Sequence, residues 1–219
     1  MKVKIEERVL SENDRIALSN RNIFRERAIY VANIISSPGA GKTSILEKIL
    51  ERISDKYRAY VLIGDVQTEN DANRIKRLGF EAKQIITGGG CHLNAKMISQ
   101  RLAEIELDKI DIVFIENVGN LVCPSAYDLG EDDKIVVLSV PEGEDKAIKY
   151  PAIFNRAKLM LLNKIDLLPY LQFNKTKAIE YAHAVNSGIE VIDMSCITGE
   201  GFDKFQKWIE ERVEAKRSS

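Results

Sequence analysis

Two kinds of stretch alternate along the chain. Short continuous apolar runs are separated by longer polar stretches in which apolar residues recur at helical spacing. Such runs are typical of buried parallel strands, and amphipathic stretches between them are typical of the connecting helices. The predicted strands cover residues 28–35, 59–64, 82–87, 111–116, 134–140, 159–162 and 189–194. We therefore predict an α/β fold with a mostly parallel central sheet and helices on both faces.

The polar stretches predict helices at 44–53, 72–78, 93–104, 145–156 and 202–215. Pro151 is expected to kink or interrupt the fourth of these helices. Residues 1–27 read as an N-terminal helical arm, with Ser11–Asp14 as a possible helix start, ahead of a single domain at 28–219. The arm could pack on its own domain or contact a partner, and the sequence leaves both open.

The composition of the chain limits the classes of binding partner that the sequence indicates. The chain has 219 residues, which suits one α/β domain, and its 32 lysines and arginines nearly balance 33 aspartates and glutamates. Bulk charge therefore gives no indication of a nucleic-acid or membrane surface. No apolar run reaches membrane-spanning length and the charged N-terminus has no signal-peptide core, so we expect a cytoplasmic protein. The three cysteines do not make a disulfide framework.

A phosphate-binding loop is predicted between the first strand and the helix that follows it. Small residues there expose backbone N–H groups, and the helix points its positive end at the same place. In this pattern Lys42 reaches the β- and γ-phosphates, and the hydroxyl of Thr43 is a ligand of Mg²⁺. The residues expected to bind phosphate are Pro38, Gly39, Ala40, Gly41, Lys42, Thr43 and Ser44.

The loop departs from the usual pattern at its first position, where Ser36 replaces a glycine. Either the turn out of the strand is made without a positive φ, or Gly39 carries the unusual dihedral. Pro38 fixes its own φ and holds Ser37 extended, which shapes the loop.

Carboxylates follow two of the predicted strands, at the sheet edge where the phosphate loop lies. Asp65 ends the second strand, Asp71 begins the next helix and Glu116 ends the fourth strand. Ligands of open α/β sheets sit outside these strand ends, so we expect Glu116 to orient Mg²⁺, directly or through water. Asp65 and Asp71 could each be only a helix cap, but we expect at least one of them to serve Mg²⁺ or the attacking water. Because Gly119 has no side chain, its backbone N–H can approach the γ-phosphate. The loop that follows Glu116 can therefore sense hydrolysis.

Guanine selectivity is predicted from Asn163-Lys164-Ile165-Asp166 at the end of the sixth strand. The carboxylate of Asp166 accepts from the ring N–H and exocyclic amine of guanine, and adenine offers neither donor. Asn163 braces the phosphate-side loop, and the stem of Lys164 lies along the base. Residues 195–199, including Ser195 and Cys196, are positioned to close over the base through backbone N–H groups, while the Cys196 thiol is interpreted as packing.

Soft metal ligands lie on two loops. Cys91 and His92 follow three glycines, and Cys123 lies on the loop that starts at Glu116. Alone these residues are weak evidence for a metal site, since a buried cysteine and a surface histidine would explain the pair. If these three residues bind metal, the loop from Glu116 to Cys123 couples the metal site to the nucleotide site.

Together these motifs resemble the hydrogenase nickel-incorporation GTPases, the HypB family, within the signal-recognition and MinD-like class of P-loop proteins. The resemblance spans most of the chain. It rests on Gly64–Val66, Cys91-His92, the run ENVGNLVCP at Glu116–Pro124, and Asn163–Asp166. The run that ends in Cys123-Pro124 is the most distinctive.

The resemblance implies slow Mg²⁺-dependent GTP hydrolysis to GDP and GTP-dependent formation of a homodimer. It implies nickel or zinc held at the dimer interface by Cys91, His92 and Cys123. It also implies nickel delivery to the large subunit of nickel-iron hydrogenase, with a HypA-type metallochaperone as partner. The sequence departs from the family at Ser36, and it lacks the Cys-rich motif and His-rich tract of some members, so a nickel-storage role is not expected.

Two other interpretations stay open at this stage. The chain could be a metal-binding interaction module in which nucleotide only stabilises the fold. It could also be a GTPase with structural cysteines that serves urease or a cobalamin-dependent mutase. Three ligands leave a tetrahedral site incomplete, so two-fold pairing of chains is the economical way to build full soft-ligand sites.

Overall fold

The computed structural model describes residues 2–66 and 70–218, and the side chains of 9–66 and 70–218. Its sheet has seven strands in the order β3-β2-β4-β1-β5-β6-β7, and every pair of neighbouring strands is parallel. The predicted α/β fold with a parallel sheet between helical layers is therefore confirmed.

The strands are β1 (Tyr30–Ser36), β2 (Ala59–Asp65), β3 (Glu81–Ile86), β4 (Ile112–Glu116), β5 (Asp133–Ser139), β6 (Leu159–Asn163) and β7 (Glu190–Asp193). The described helices are α1 (Lys2–Glu26), α2 (Lys42–Ile53), α3 (Asn70–Arg77), α4 (Ala95–Leu102), α5 (Cys123–Ala126), α6 (Lys146–Lys149), α7 (Pro151–Arg156), α8 (Lys175–Val185) and α9 (Phe202–Arg217). Short 3-10 helices cover Leu107–Lys109, Val140–Glu142 and Ile165–Tyr170. None of the described helices is both long and apolar enough to span a bilayer.

The core lies on both faces of β1, which is buried along its whole length. Ala32 and Ile34 belong to the apolar cluster that α2 and α9 cover, whereas Val31 packs with residues of α1 and α4 on the opposite face. Successive side chains of a strand point to opposite faces, so a continuous apolar run is what a strand covered on both sides requires.

Helix α1 differs from the prediction at its start. The helix runs from Lys2 through Ser11–Asp14, so these residues do not begin it. Asn13 is buried and its side chain bonds to backbone of the domain, so tertiary contacts use a residue that would otherwise favour a helix cap. The side chains of residues 1–8, and residues 1 and 219 as a whole, lie outside the described part, and the division at residue 27 stays a prediction.

The second half of the described chain contains two helices that the sequence did not predict, the four-residue α5 and the longer α8. Helix α8 buries only alanines among its apolar positions, Ala178 and Ala182 in full, so its apolar face is a weak pattern. The stretch 145–156 is two helices, as Pro151 suggested, because proline has no N–H to donate and instead starts α7.

The parallel arrangement places the carboxyl ends of β1, β2, β4 and β6 at one edge of the sheet. The loops that follow these strands carry the phosphate-loop, carboxylate and guanine motifs of the sequence. Ligands of open α/β sheets bind at this edge, so the fold brings the candidate residues together.

Candidate functional site

The phosphate loop turns sharply between β1 and α2. Gly39 and Gly41 have φ of 75° and 105°, in the region that favours glycine, whereas Ser36 is the last residue of β1 and needs no positive φ. The hydroxyl of Ser36 accepts a hydrogen bond from Lys42 Nζ at 3.1 Å. The residue that replaces the first glycine therefore holds the lysine ammonium near the loop.

Glu116 lies under this loop at the end of β4. Thr43 Oγ1 donates to Glu116 Oε1 at 2.9 Å, and Oε2 is buried without a hydrogen-bond partner in the described structure. Burial raises the pKa of Glu116 to about 7, against the opposing effects of the Lys42 charge and the Thr43 hydrogen bond. A buried carboxylate oxygen without a donor, beside a threonine hydroxyl, has the chemistry of a Mg²⁺ ligand.

A cleft of about 520 Å³ opens in front of this pair. It is lined by the phosphate loop and by Asp65, Asp71, Glu116 and Gly119. The three carboxylates share the cleft, but the one group of ligand atoms that converges among the described side chains is a different set, described below. A metal ion here would therefore take its remaining ligands from phosphate oxygens or water.

Gly119 makes the loop after β4 contact the phosphate loop. A Cβ atom on Gly119 would lie 2.9 Å from Pro38 Cα and 3.0 Å from Pro38 N. Only a residue without a side chain fits so close to Pro38. Neither loop can therefore move toward the other without displacing it.

Arg74 is a cation at the wall of the cleft that the sequence analysis did not identify. Its guanidinium donates to both carboxylate oxygens of Glu47, at 3.0 and 2.8 Å, and to Ser44 Oγ at 3.2 Å. The side chain thus ties α3 to the start of α2. One arginine on a charged helix gives no periodic signal, so the sequence offered no way to single it out.

The guanine motif lies beside the phosphate loop. Asn163 Nδ2 donates to the carbonyl of Ala40 at 2.8 Å, which is the bracing contact expected of this residue. Lys164 has φ of 61°, and its ammonium donates to the carbonyl of Gly39 at 2.7 Å. A Cβ at Gly41 would lie 2.5 Å from Asn163 Nδ2, so the second loop glycine makes room for the asparagine.

Asp166 faces the segment that follows β7. Its Oδ1 accepts from Ser195 Oγ at 2.5 Å, and the same hydroxyl oxygen accepts from the backbone N–H of Ile197 and Thr198. Ser195 therefore folds the 195–199 segment next to the carboxylate. The half-buried Cys196 packs against the core, where burial raises its thiol pKa to about 11.

The soft ligands of the two loops converge. One ligand atom each from Cys91, His92 and Cys123 lies within 4.8 Å of the others. The two sulfurs are 2.9 Å apart, and Cys91 Sγ lies 3.7 Å from His92 Nδ1. Residues that are far apart in sequence thus bring three soft ligand atoms together as one candidate metal site.

Electrostatics at this group favour the metal-binding form of the imidazole. Burial lowers the pKa of His92, so the ring is neutral at neutral pH and has a free nitrogen lone pair. The pKa of the Cys91 thiol is raised, mainly by its hydrogen bond to Cys123. A bound cation would reverse that effect, because it stabilises thiolate. The ring of His92 stacks on Tyr127 with centroids 3.9 Å apart.

Two contacts join the metal-ligand group to the cleft. Asn117, which follows Glu116 and lines the cleft, accepts from the backbone N–H of Leu93 through its Oδ1 at 3.2 Å. Leu93 is fully buried, and its side chain occupies the space where a Cβ on Gly64 would lie. Leu93 directly follows His92, so the ligand loop is anchored in the wall of the cleft. The sequence had placed Asn117 only within a motif.

Comparisons with known proteins agree with this geometry. Residues 30–193 match the family model described as the CobW/HypB/UreG nucleotide-binding domain. The chain is similar to the hydrogenase maturation factor HypB of Escherichia coli strain K12, with 51% identity over 208 residues that cover 95% of this chain and 72% of that protein. It is also 39% identical to the hydrogenase/urease maturation factor HypB of Helicobacter hepaticus, over 96% of this chain and 88% of that protein.

A similar experimental structure is the crystal structure of HypB from Helicobacter pylori in complex with nickel. It superposes with a TM-score of 0.89 at 36% sequence identity, over 93% of this chain and 96% of that chain.

Proposed function

The chain belongs to the HypB family of hydrogenase maturation factors, and from that premise we propose that it is a GTP-hydrolysing metallochaperone. Its cargo is nickel or zinc, and it delivers nickel during maturation of nickel-iron hydrogenase. The observation that carries the proposal is the group of two sulfurs and one imidazole on loops that are tied to the nucleotide cleft. We place this work in the cytoplasm, where thiols stay reduced.

The phosphate loop binds the triphosphate. Residues from Pro38 to Ser44 cradle it with backbone N–H groups, and Lys42 supplies charge to the β- and γ-phosphates. Thr43 and Glu116, with Asp65 where needed, would hold Mg²⁺, which neutralises charge that develops on the phosphates. The partnerless oxygen of Glu116 supports this role.

Hydrolysis also needs an oriented water. Asp71 and Asp65 line the cleft and are our candidates for that task, and the N–H of Gly119 is our candidate to contact the γ-phosphate. The loop after Glu116 has no glutamine, and we assign no arginine to the transferring phosphate. Turnover of the isolated protein is therefore expected below about 1 s⁻¹, the lower end of ordinary enzymes.

Asp166 selects guanine through its carboxylate. Asn163 and Lys164 shape the pocket from the phosphate side, and both already contact carbonyls of the phosphate loop. The backbone of Ser195 and Cys196 closes over the base. The hydrogen bond between Ser195 and Asp166 supports this assignment, because it sets the loop beside the carboxylate.

The cargo metal binds to Cys91, His92 and Cys123. Three ligands leave a tetrahedral site one short, so a second copy of the chain, or a partner, completes it. GTP promotes the homodimer, and the loop from Glu116 to Cys123 carries the signal, since Gly119 touches the phosphate loop at one end. A HypA-type metallochaperone and the hydrogenase large subunit are the proposed partners.

A metal titration tests this proposal. Nickel is added to the protein in the presence of GDP and of a non-hydrolysable GTP analogue, and molecular mass and bound metal are read together. We expect tighter nickel binding and a dimer with the analogue, and loss of both responses in Lys42→Ala. A chain that passes metal on equally well without the Lys42 ammonium would instead be a metal-binding module with a structural nucleotide.

The client is tested separately. The Helicobacter hepaticus relative is described as a hydrogenase and urease factor, so urease is the second candidate client. Nickel transfer from the loaded protein to purified apo-hydrogenase large subunit and to apo-urease, compared side by side with the GTP state, distinguishes them. Transfer to urease alone would overturn the hydrogenase assignment.

A further inference from the structure

Two asparagines of α1 hold together the loops that carry the metal ligands. Asn13 Oδ1 accepts from the backbone N–H of Ala95 at 2.9 Å, and Asn13 Nδ2 donates to the carbonyl of Asp128 at 2.8 Å. Ala95, the first residue of α4, lies shortly after the Cys91-His92 pair, and Asp128 lies just beyond α5, which begins at Cys123. One side chain thus bridges both ligand-bearing segments.

Asn20 repeats the bridge on the same face of the helix. Its Nδ2 donates to the carbonyls of Ala95 and Leu129, at 2.9 and 3.0 Å. The asparagine is fully buried. Residues seven apart lie on one face of a helix, so α1 presents two parallel bridges to the same pair of loops.

Further contacts fix the loop that contains Asp128 and Gly130 against α1. Arg21 donates to both carboxylate oxygens of Asp128 at 2.7 Å, and a Cβ on Gly130 would lie 2.8 Å from the carbonyl of Ala17. The loop therefore lies flat on α1, and the aromatic ring of Tyr127, next to Asp128, is held where it stacks on His92. The position of the imidazole ring depends on a chain of contacts that starts in α1.

We infer that Asn13 and Asn20 are positioning residues for the metal site, and that α1 sets the affinity of the site for its metal. Neither asparagine supplies a ligand. Residues around a metal site that orient its ligands commonly change metal affinity by about 10- to 100-fold when they are removed. The bridges hold the Cys91-His92 segment at a fixed position relative to Cys123, so that less ordering is needed when metal binds. This inference rests on the proposed function, because it takes these three residues as the ligands.

Asn13→Ala tests the inference in the full chain. We expect binding of Ni²⁺ and of Zn²⁺ alone to weaken about tenfold, and the thiolate-to-nickel charge-transfer absorption to change in position or intensity. Affinity for GDP should stay within about twofold of the original value. Asn13→Asp, which keeps the acceptor for Ala95 but loses the donor to Asp128, should also weaken metal binding, because only a side chain with both groups bridges the loops.

Asn186→Ala is the matched control. Asn186 makes the same kind of bridge, from its Nδ2 to the carbonyls of Phe154 and Ala157, between α7 and the end of α8. It lines neither the nucleotide cleft nor the group of metal ligands. The control should lower the unfolding midpoint by an amount comparable to Asn13→Ala and leave metal binding unchanged. A general loss of stability would affect both variants alike.

The outcomes separate this inference from the proposed function. If Cys91→Ala and Cys123→Ala bind metal as tightly as the original chain, the ligand assignment itself is wrong. If those variants lose metal while Asn13→Ala and Asn13→Asp bind it with unchanged affinity and absorption, the ligands stand and the positioning role is refuted. When Asn20→Ala, at the fully buried position, is combined with Asn13→Ala, it should cause little further loss of metal affinity if both asparagines act as one unit.

Discussion

Asn117 Oδ1 accepts a hydrogen bond from the backbone N–H of Leu93 at 3.2 Å. This bond joins the residue after Glu116 to the residue after His92. If this bond and the loop to Cys123 transmit the state of the nucleotide, a ligand at either site changes the affinity of the other by the same factor.

We predict that Asn117→Ala uncouples the two sites. Nickel affinity of the unchanged chain should differ between GDP and a GTP analogue by a factor that corresponds to about 1 to 3 kcal/mol, and the variant should lose most of that difference. Asn33→Ala is the control, because it removes the acceptor for Asn117 Nδ2 and leaves the bond from the Leu93 N–H to Oδ1. Isothermal titration of the unchanged chain, the variant and the control in both nucleotide states provides the six affinities. Equal nickel affinities of the unchanged chain in the two states would refute the coupling.

A second prediction concerns the contact between Gly119 and Pro38. Gly119→Ala places a methyl group within 3.0 Å of proline backbone and ring atoms, so one of the loops must move. The cost of such overpacking is typically about 1 to 3 kcal/mol. GTP-analogue binding should weaken about tenfold or more, with a smaller loss for GDP if the N–H of Gly119 contacts the γ-phosphate. Gly188→Ala, at an exposed glycine with room for a Cβ, is the matched control.

The base site is tested by Asp166→Asn. The amide presents a donor where guanine needs an acceptor, so affinity for GDP should fall at least roughly tenfold, and xanthosine diphosphate should bind better to the variant than to the original chain. Competition against a fluorescent nucleotide measures both. Tight ATP binding by the unchanged chain would contradict the assignment of Asp166.

The raised pKa of Glu116 predicts a dependence of stability on pH. Its pKa is about 7 in the folded protein against an ordinary value of 4.5. Between these values the folded chain binds more protons than the unfolded chain, so the free energy of unfolding falls as the pH rises, by about 3 kcal/mol in total. Above the pKa of Glu116 in the folded protein, this group no longer lowers the free energy of unfolding further as the pH rises.

Glu116→Gln should remove this part of the pH dependence. Urea unfolding of the chain without nucleotide or metal, at pH 5 and at pH 7.5, measures the difference for the unchanged chain and the variant. Glu51→Gln, at an exposed glutamate of α2, controls for the loss of one carboxylate. The inference fails if the variant and the original chain lose the same amount of stability over this range.

The sequence was sufficient for those features that local pattern determines. Continuous apolar runs predicted all seven strands, and the glycines and Lys42 of the phosphate loop identified the edge of the sheet where the strand-end carboxylates lie. Each of these signals is contained in a short stretch of chain, and the fold follows from the order of the stretches.

What the sequence missed depends on partners that are distant in the chain. Asn13 and Asn20 are polar residues on the face of α1 that meets the domain, and their buried side chains bond to backbone groups of two distant segments. The cap signal at Ser11–Asp14 was wrong for the same reason, since tertiary hydrogen bonds use its asparagine. Arg74 and Asn117 likewise have roles that only their neighbours in space reveal.

The packing of Leu93 over Gly64 restricts how this chain can evolve. The side chain of Leu93 lies 2.8 to 2.9 Å from the position that a Cβ on Gly64 would take. Any larger residue at position 64, one before the end of β2, forces the side chain of Leu93 to move or to become smaller, and either change disturbs the buried anchor of the loop that bears Cys91 and His92. We therefore expect the two positions to change together or not at all during divergence, so that the identity of one constrains the identity of the other across the family.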